Sequence, residues 1–526
     1  MTARTVATPF PLRAELEAAR TRLSALAVTI AVVVGAGLRL WGLADVGFNS
    51  DEAVYAGQAA ALAGNATYAQ FFAIFRAHPL LVQFLVSLLF QFGVNDVAPR
   101  LLAVAFGLAT IPLTYALGAQ LYSRRAGLVA AAIIAVMPYH VTVSRQILLD
   151  APMAMFFLVA MLFLARYTAS GAARWLYASA FAGGMAFLAK ETGLIVVGVA
   201  IAFALMTPSV RISPRRVFAA AAVFIIAISP YPLSIAVAGA SETARQFLIW
   251  QFLRRPNHTW SFYAEILPGA VGPILLGFVA VGLVFAVRKA AWQDRLIVAW
   301  LVVPLAFYQV WPVKGYQYLL PLAPAMALLA ARTFEAPLWS RFEAWWRARR
   351  GERGGAGSLG FMAALATVMI VVSLTIPSVV AVSTTTTVGS LAGTGGLPGG
   401  REAGLWIRDN VPEGATFMTI GPTLSNLIQF YGQRRSLGLS VSVNQLHRNP
   451  AYTPIQNPDR AIRRLEFQYL AYDVWSAGRS PHFADVLRRY VEKFNGRLVH
   501  EQTAMVRDAD GAVRERVVIQ IYAVRP

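Results

Sequence analysis

Long apolar stretches separated by short polar loops make up most of the first 380 residues. A helix needs about 20 apolar residues to cross a bilayer, so stretches of this length predict membrane-spanning helices. Eleven spans are predicted, at 24–43, 97–121, 126–144, 151–167, 174–189, 192–207, 217–237, 268–287, 295–312, 317–332 and 359–380. The apolar run 79–93 is shorter than a span requires, so we interpret it as an interfacial or re-entrant segment.

The distribution of Lys and Arg predicts the orientation of these spans. With 79–93 outside the membrane core and the N-terminus inside, twenty basic residues fall in cytoplasmic segments and eight in the opposite loops, up to the last span. Cytoplasmic loops of membrane proteins carry such an excess. We therefore expect a cytoplasmic N-terminus at 1–23, a membrane domain at 24–380, and two long external loops at 44–96 and 238–267.

After the last span the pattern changes. A Thr-, Gly- and Ser-rich linker at 381–400 leads to the segment 401–526, where helix-like and strand-like patterns alternate. The predicted helices are 403–410, 425–431 and 483–495, and the predicted strands are 415–420, 436–443 and 517–524. These elements predict a soluble α/β domain, and an odd number of crossings puts it outside the cytoplasm.

The composition agrees with a membrane protein and excludes several kinds of chemistry. Hydrophobic residues make up 57% of the chain and charged residues 14%, whereas soluble domains have about 45–50% and about 25%. The chain has no Cys, so disulfides, thiolate catalysis and Cys-ligated metals are excluded. The net charge of +20 lies largely in short loops between spans. That placement is typical of membrane anchoring, so we expect no nucleic-acid partner.

Ionisable residues at the membrane gather on the external side. They are Asp51, Glu52, Asp150, Lys190, Glu191, Arg254, Arg255, His258 and Lys314. Charges near a bilayer are costly and often mark function, and cations with carboxylates suit a phosphate and proton transfer. The plainer interpretation of a lone Lys190 or Arg145 is a helix-end charge that snorkels or caps. Asp51 could also be a simple helix cap, but a cap does not account for Glu52 or Tyr55.

Five short strings, in order, resemble those of GT-C glycosyltransferases, and more closely the protein O-mannosyltransferase and aminoarabinose transferase (ArnT-like) group. They are LRLW at 38–41 with DEAVYA at 51–56, RAHPL at 76–80, SRQILLD at 144–150 with MFF at 155–157, AKETG at 189–193, and KGYQYLLP at 314–321. Leu80 departs from the group, which has a second Pro there. The resemblance covers about residues 24–335.

This resemblance implies a membrane all-α fold of the GT-C type and an enzyme. Such enzymes pass a hexosyl or pentosyl unit from a polyprenyl-phosphate carrier to a glycolipid, an envelope glycan or a protein hydroxyl outside the cytoplasm. The absence of a Gly-rich nucleotide-binding motif fits this chemistry. By resemblance Asp51 is the general base, Asp150 orients the acceptor or helps to hold a divalent ion, and Glu52 supports the two.

The resemblance also suggests which residues bind the substrates. The candidates for the donor phosphate are Arg76, Lys190, Arg254, Arg255 and Lys314, and those for other substrate groups are Tyr55, Arg145, Tyr316 and Tyr318. Members of the group vary in their need for a metal, and no spacing here is diagnostic. His78, His258 and Glu265 are candidate ligands for a divalent ion, although His78 also fits a simple His-Pro helix start.

Other interpretations remain open. A transporter or flippase of lipid-linked sugars would need charges leading to both faces and usually repeated architecture, and neither is evident. A binding protein anchored by the membrane part would not need so many spans. The external domain fits acceptor recognition or a lid, and its string 467–473 with Trp475 is either an aromatic carbohydrate platform or core packing. We expect the whole protein in the plasma membrane of a prokaryote.

The orientation can be tested directly with reporters fused to the C-terminus. An alkaline phosphatase fusion, which is active only outside the cytoplasm, is expected to be active because the spans are odd in number. A green fluorescent protein fusion serves as the opposite reporter and is expected to be dark. Fluorescence from it would show a cytoplasmic C-terminus and would overturn the interpretation of 79–93.

Overall fold

The chain folds into a helical membrane part and a C-terminal domain with one β-sheet. The computed structural model describes residues 11–210, 212–335, 357–383, 397–507 and 512–525, and for 11–16 and 357–363 it describes the backbone alone. Most of the predicted linker, residues 384–396, lies outside the described residues, as does the basic segment 336–356. The described part therefore contains the two units whose contacts shape the site.

Eighteen described helices precede the C-terminal domain. They are α1 Pro11–Leu40, α2 Ser50–Leu62, α3 Ala66–Ala69, α4 Leu81–Leu89, α5 Ala98–Leu121, α6 Arg124–Val136, α7 Pro138–Val143, α8 Asp150–Ser170, α9 Ala173–Ala189, α10 Ile195–Met206, α11 Pro214–Ile228, α12 Pro230–Val237, α13 Ser241–Leu253, α14 Phe262–Val271, α15 Pro273–Lys289, α16 Trp292–Val310, α17 Ala323–Arg332 and α18 Gly357–Ser383. Short 3₁₀ turns add Phe90–Phe92, Glu191–Leu194, Tyr316–Leu322, Thr333–Glu335 and, in the C-terminal domain, Gln445–His447.

The predicted count of eleven spans is not confirmed. Four helices of the described part, α1, α5, α8 and α18, are long and apolar enough to cross a membrane. Up to six spans result if each of two bent helix pairs, α11 with α12 and α14 with α15, counts as one. The difference arises because several predicted spans are short or broken helices, such as the 12-residue α10. The run 79–93 becomes α4 and one 3₁₀ turn, which are too short to span.

The segment 44–96, which the sequence predicts as the first external loop, is a folded unit with α2 as its first helix. Asn49 caps this helix, since its side chain accepts a hydrogen bond from the Glu52 N–H at 2.9 Å. In return the Glu52 carboxylate accepts one from the Asn49 N–H at 3.0 Å, which completes a capping box. Asp51 is therefore not the residue that caps the helix.

The C-terminal domain has a five-stranded mixed sheet. Its strands are β1 Thr416–Thr419, β2 Arg435–Gly438, β3 Tyr469–Asp473, β4 Arg497–Arg507 and β5 Val513–Ala523, in the order β2-β1-β3-β5-β4. Strand β1 pairs in parallel with β2 and β3, and β5 pairs antiparallel with β3 and β4. The helices are α19 Gly400–Asn410, α20 Pro422–Leu427, α21 Pro458–Arg463, α22 Val474–Arg479 and α23 Pro481–Lys493, and a π turn spans Ile428–Gly432.

The sheet decides between the two interpretations of the aromatic string at 467–473. Residues Tyr469–Asp473 form the central strand β3, and the last four of them are buried. Asp473 caps α22 by accepting a hydrogen bond from the Ser476 N–H at 2.6 Å. The aromatic carbohydrate platform is therefore wrong, because the string packs in the core. Strands β3 and β4 were not predicted.

The C-terminal domain packs on the segment 44–96. Phe430 lies with its ring centroid 5.0 Å from that of Phe48 and 5.3 Å from that of Tyr68. The Tyr431 hydroxyl accepts a hydrogen bond from the Phe48 N–H at 2.8 Å and donates one to Asp96 at 2.9 Å. One hydrophobic core thus runs from α2 into the domain, so the domain is held against the segment that carries Asp51.

Removal of the Phe430 ring tests this docking. Phe430→Ala is expected to lower the free energy of unfolding by about 3–5 kcal/mol, because a buried aromatic leaves a cavity. A lower midpoint of thermal unfolding of the purified protein would report it. Phe92→Ala is the matched control, since Phe92 is 93% exposed and such a change costs within about 0.5 kcal/mol. Equal midpoints for the two variants would contradict the docking.

Candidate active site

Glu52 fixes the position of the helix that carries Asp51. Its carboxylate is fully buried and accepts two hydrogen bonds from the Arg100 guanidinium, both at 2.8 Å. It also accepts one from the Ile147 N–H at 3.1 Å. Glu52 therefore ties α2 to α5 and to the loop that leads to Asp150. This contact is structural, and Glu52 does not line the cavity described next.

A cavity of about 350 Å³ lies between the segments 44–96 and 238–267 and the C-terminal domain. Its walls come from α2, the segments before α4 and α8, the turn after α9, α13, the Tyr316–Leu322 turn and a loop of the C-terminal domain. The lining side chains used below are Asp51, Tyr55, His78, Asp150, Lys190, Glu191, Trp250, Gln251, Arg254, Tyr318, His447, Arg448 and Tyr452. The structure thus brings together residues from seven separate segments of the chain.

The three carboxylates of this cavity differ in their partners. Asp150 receives the Lys190 ammonium at 2.8 Å, and Glu191 lies 3.2 Å from the His78 Nδ1. Asp51 has no hydrogen bond or ion pair in the part of the chain that the structure describes, and its side chain is exposed to the cavity. Asp51 is thus the carboxylate that remains available for an incoming group.

The cations of the cavity differ in the same way. The Lys190 ammonium pairs with Asp150 and lies 4.4 Å from the centroid of the Tyr318 ring. The Arg254 guanidinium lies 4.4 Å above the Trp250 ring and donates to the Gln251 side chain at 3.3 Å. Among the described residues no carboxylate lies within ion-pair distance of Arg254. Arg254 can therefore bind an anion without breaking an existing pair.

The surroundings shift the proton affinities of these groups. Although Asp51 faces the cavity, protein atoms crowd it, and this burial raises its pKa, while the charges of Lys190 and Arg254 oppose the rise. Burial also raises the pKa of Glu191, but the charge and hydrogen bond of His78 outweigh this effect and lower that pKa to about 2. Burial disfavours the charged form of Lys190, yet the Asp150 carboxylate holds its pKa above the usual value. Asp51 is therefore better suited than Glu191 to accept a proton.

Five predicted substrate residues do not line this cavity. Arg145 donates to the backbone carbonyls of Leu38, Arg39 and Gly42, and so braces the end of α1. Tyr316 is buried, and its carbonyl accepts a hydrogen bond from the Tyr139 hydroxyl at 2.5 Å. The buried Lys314 lies 5.4 Å from the Trp260 ring. Arg76 and Arg255 also lie outside the lining.

The predicted metal ligands do not come together. His258 stacks on Phe262 with a centroid distance of 4.0 Å, and Glu265 accepts a hydrogen bond from the Ser261 hydroxyl at 2.5 Å. His78 instead pairs with Glu191. Within the described residues no group of three or more His, Asp or Glu is arranged to hold a metal ion. The set of His78, His258 and Glu265 is therefore wrong as a metal site.

The part of the cavity wall that the C-terminal domain supplies was not predicted from the sequence. The loop after β2 places Ser440, Ser442, His447, Arg448 and Tyr452 on the cavity. Tyr452 accepts a hydrogen bond from the Asn426 side chain at 3.2 Å, which fixes one side of this loop. No sequence motif marks this loop, and it reaches the cavity only because two parts of the protein that are far apart in sequence pack together.

Residues 77–233 match the family model of the dolichyl-phosphate-mannose-protein mannosyltransferases. The fold resembles ArnT from Cupriavidus metallidurans, with a TM-score of 0.68 at 15% identity over 96% of this chain and 98% of that chain. The structure of the same protein bound to undecaprenyl phosphate has a TM-score of 0.66 at 14% identity, over 96% of this chain and 98% of that chain. The oligosaccharyltransferase AglB from Archaeoglobus fulgidus, in complex with an inhibitory peptide and a dolichol-phosphate, is also similar. Its TM-score is 0.60 at 13% identity, over 95% of this chain and 74% of that chain. No curated protein matches the chain by sequence.

Residues 77–233 are thus similar to the mannosyltransferase family, and the chain shares the fold of the ArnT and AglB structures. The resemblance inferred from the five sequence strings is thereby confirmed. The architecture, mostly helical with apolar spans and a C-terminal sheet domain, is that of an integral membrane protein.

The buried pair of Lys190 and Asp150 can be tested by a double-mutant cycle. Lys190→Met is expected to lower the free energy of unfolding by about 3–5 kcal/mol, because it leaves the Asp150 carboxylate buried without a partner. Adding Asp150→Asn is expected to restore part of the loss. Denaturant unfolding of the purified protein measures both, with the exposed Lys289→Met as control. Fully additive losses would show that the two groups do not interact.

Proposed function

We propose that this protein transfers a sugar from a polyprenyl-phosphate-linked donor to an acceptor outside the cytoplasm. The observation that carries the proposal is the free Asp51 carboxylate, which faces the same cavity as the free Arg254 cation and Lys190. The similar folds solved with undecaprenyl phosphate and with dolichol-phosphate support a lipid-linked donor.

In the proposed reaction the donor phosphate lies against Arg254 and Lys190. Asp51 accepts the proton of an acceptor hydroxyl, whose oxygen then bonds to the anomeric carbon. The bond between that carbon and the phosphate oxygen breaks, and its electron pair leaves with the lipid phosphate. Because charge develops on this phosphate, the fixed cations of the cavity stabilise the transition state.

A divalent ion would have to compete with existing contacts. Asp150 already pairs with Lys190 at 2.8 Å, and Glu191 with the His78 imidazole at 3.2 Å, so these side chains fit a metal poorly. No step of the proposed reaction is therefore assigned to a metal.

The proposed location of the protein is the plasma membrane of a prokaryote, with the N-terminus in the cytoplasm and the cavity on the opposite side.

A transfer assay tests the function and the base together. Purified protein is incubated with radiolabelled hexoses and pentoses on polyprenyl phosphates, with and without a chelator. Asp51→Asn is expected to lower sugar release or transfer about 10²–10⁴-fold, because the general base is lost. The control is Asp409→Asn, at an exposed carboxylate of the C-terminal domain. In the parent protein the rate should fall at acidic pH, since Asp51 with its raised pKa becomes protonated.

Three outcomes would contradict parts of this account. Normal turnover by the Asp51→Asn variant would exclude Asp51 as the general base. Transport of a lipid-linked sugar across vesicles by the parent protein, without cleavage of the glycosyl–phosphate bond, would instead support a flippase. Loss of activity with chelator alone would show that a divalent ion takes part.

A further inference from the structure

A second cavity, of about 380 Å³, adjoins the first. The two share the side chains of Asp51, Tyr55, His78 and Tyr452. From there the second cavity extends along α2 and the segment 70–75 to β2 and the loop after it. We call the first cavity the cationic chamber and the second the amide chamber. Asp51 lies where they meet, so groups held in either chamber can reach its carboxylate.

The amide chamber has a different chemistry from the cationic chamber. Its polar lining is mostly neutral and includes Gln58, Gln70, Asn426, Gln429 and Asn449. Asp51 and His78 are shared with the cationic chamber, and Arg435 is the one further charged side chain among the described lining residues. Between Asp51 at one end and Arg435 at the other, a charged ligand would find little opposite charge to offset its desolvation.

Several amides of this chamber keep free hydrogen-bonding capacity. Gln70 is exposed and has no side-chain partner among the described residues. Gln429 uses its NH₂ group on the Ser436 carbonyl at 2.6 Å, which leaves its own carbonyl oxygen as an acceptor. The Asn426 NH₂ group donates to Ser50 and Tyr452, which again leaves its carbonyl oxygen. Gln70, which can donate and accept, and the free carbonyl oxygens of Gln429 and Asn426 match the adjacent hydroxyls of a sugar.

Aromatic side chains complete this lining. Tyr55 and Phe71 are partly exposed and line the chamber from the first external loop. Tyr452 lines it from the C-terminal domain, close to Asp51. Aromatic residues offer apolar faces together with polar edges, which suits the mixed apolar and hydroxylated surfaces of a sugar ring.

We propose that the amide chamber binds the acceptor, and that the bound part of the acceptor is a neutral, hydroxyl-rich glycan. This inference rests on the proposed function, since it takes the donor phosphate to occupy the cationic chamber. The acceptor hydroxyl then reaches Asp51 from the side opposite to the phosphate. The C-terminal domain, which supplies Asn426, Gln429 and Tyr452, is accordingly part of the acceptor site.

The test compares three kinds of acceptor with one labelled donor, the one that the parent protein hydrolyses. The acceptors are fluorescent neutral oligosaccharides, Ser- and Thr-containing peptides, and phosphorylated glycolipids. Transfer to neutral oligosaccharides in preference to the other two is expected. Gln70→Leu should raise the KM for the oligosaccharide about fivefold, the effect of one lost hydrogen bond, with the KM for the donor unchanged. The matched control is Gln91→Leu, at an exposed glutamine outside both chambers.

The outcomes separate this inference from the proposed function. Preferential transfer to peptides or to phosphorylated glycolipids would overturn the glycan acceptor, as would the failure of every neutral oligosaccharide to accept the label. Either result leaves the enzyme class intact as long as the donor is hydrolysed. Absence of donor hydrolysis with the whole donor panel would instead count against the proposed function itself. An equal effect of Gln70→Leu on both KM values would overturn the placement of the acceptor in the amide chamber.

Discussion

The buried ion pair of Glu52 and Arg100 is the interaction on which the site depends. A carboxylate without water is costly unless cations and N–H groups surround it. Glu52 has two hydrogen bonds from Arg100 and one from the backbone at Ile147. These contacts join α2, α5 and the start of α8, and so hold Asp51 near Asp150. A neighbouring carboxylate thus serves structure and leaves Asp51 free for chemistry.

The division of charges within the cavity follows the same principle. Lys190 neutralises Asp150, and His78 pairs with Glu191, so two of the three carboxylates are satisfied within the protein. In the described part of the chain, the Asp51 carboxylate and the Arg254 guanidinium remain without an ion-pair partner. A site with a free carboxylate and a free guanidinium is suited to the phosphate of a donor and the hydroxyl of an acceptor. The C-terminal domain closes this site, because its core is continuous with that of α2.

The sequence could predict the helical membrane part and the residues Asp51, Asp150 and Lys190, because charges at a membrane interface are costly and stand out in apolar surroundings. It could not predict the number of spans, since breaks such as that between α14 and α15 occur inside apolar runs. The partners of Glu52 and Arg145 could not be predicted from the sequence either, because an ion pair or a backbone contact depends on packing. The wall around Tyr452 has no local signal, as it forms only when the two domains meet.

The central claim is that donor phosphate and acceptor reach Asp51 from different chambers. A structure of the protein with a non-cleavable polyprenyl-phosphate-sugar analogue tests it most directly. We expect the phosphate within hydrogen-bond distance of Arg254 and Lys190, and the anomeric carbon facing Asp51. The analogue should leave the amide chamber free for the acceptor. A phosphate in the amide chamber, or a sugar remote from Asp51, would contradict the account.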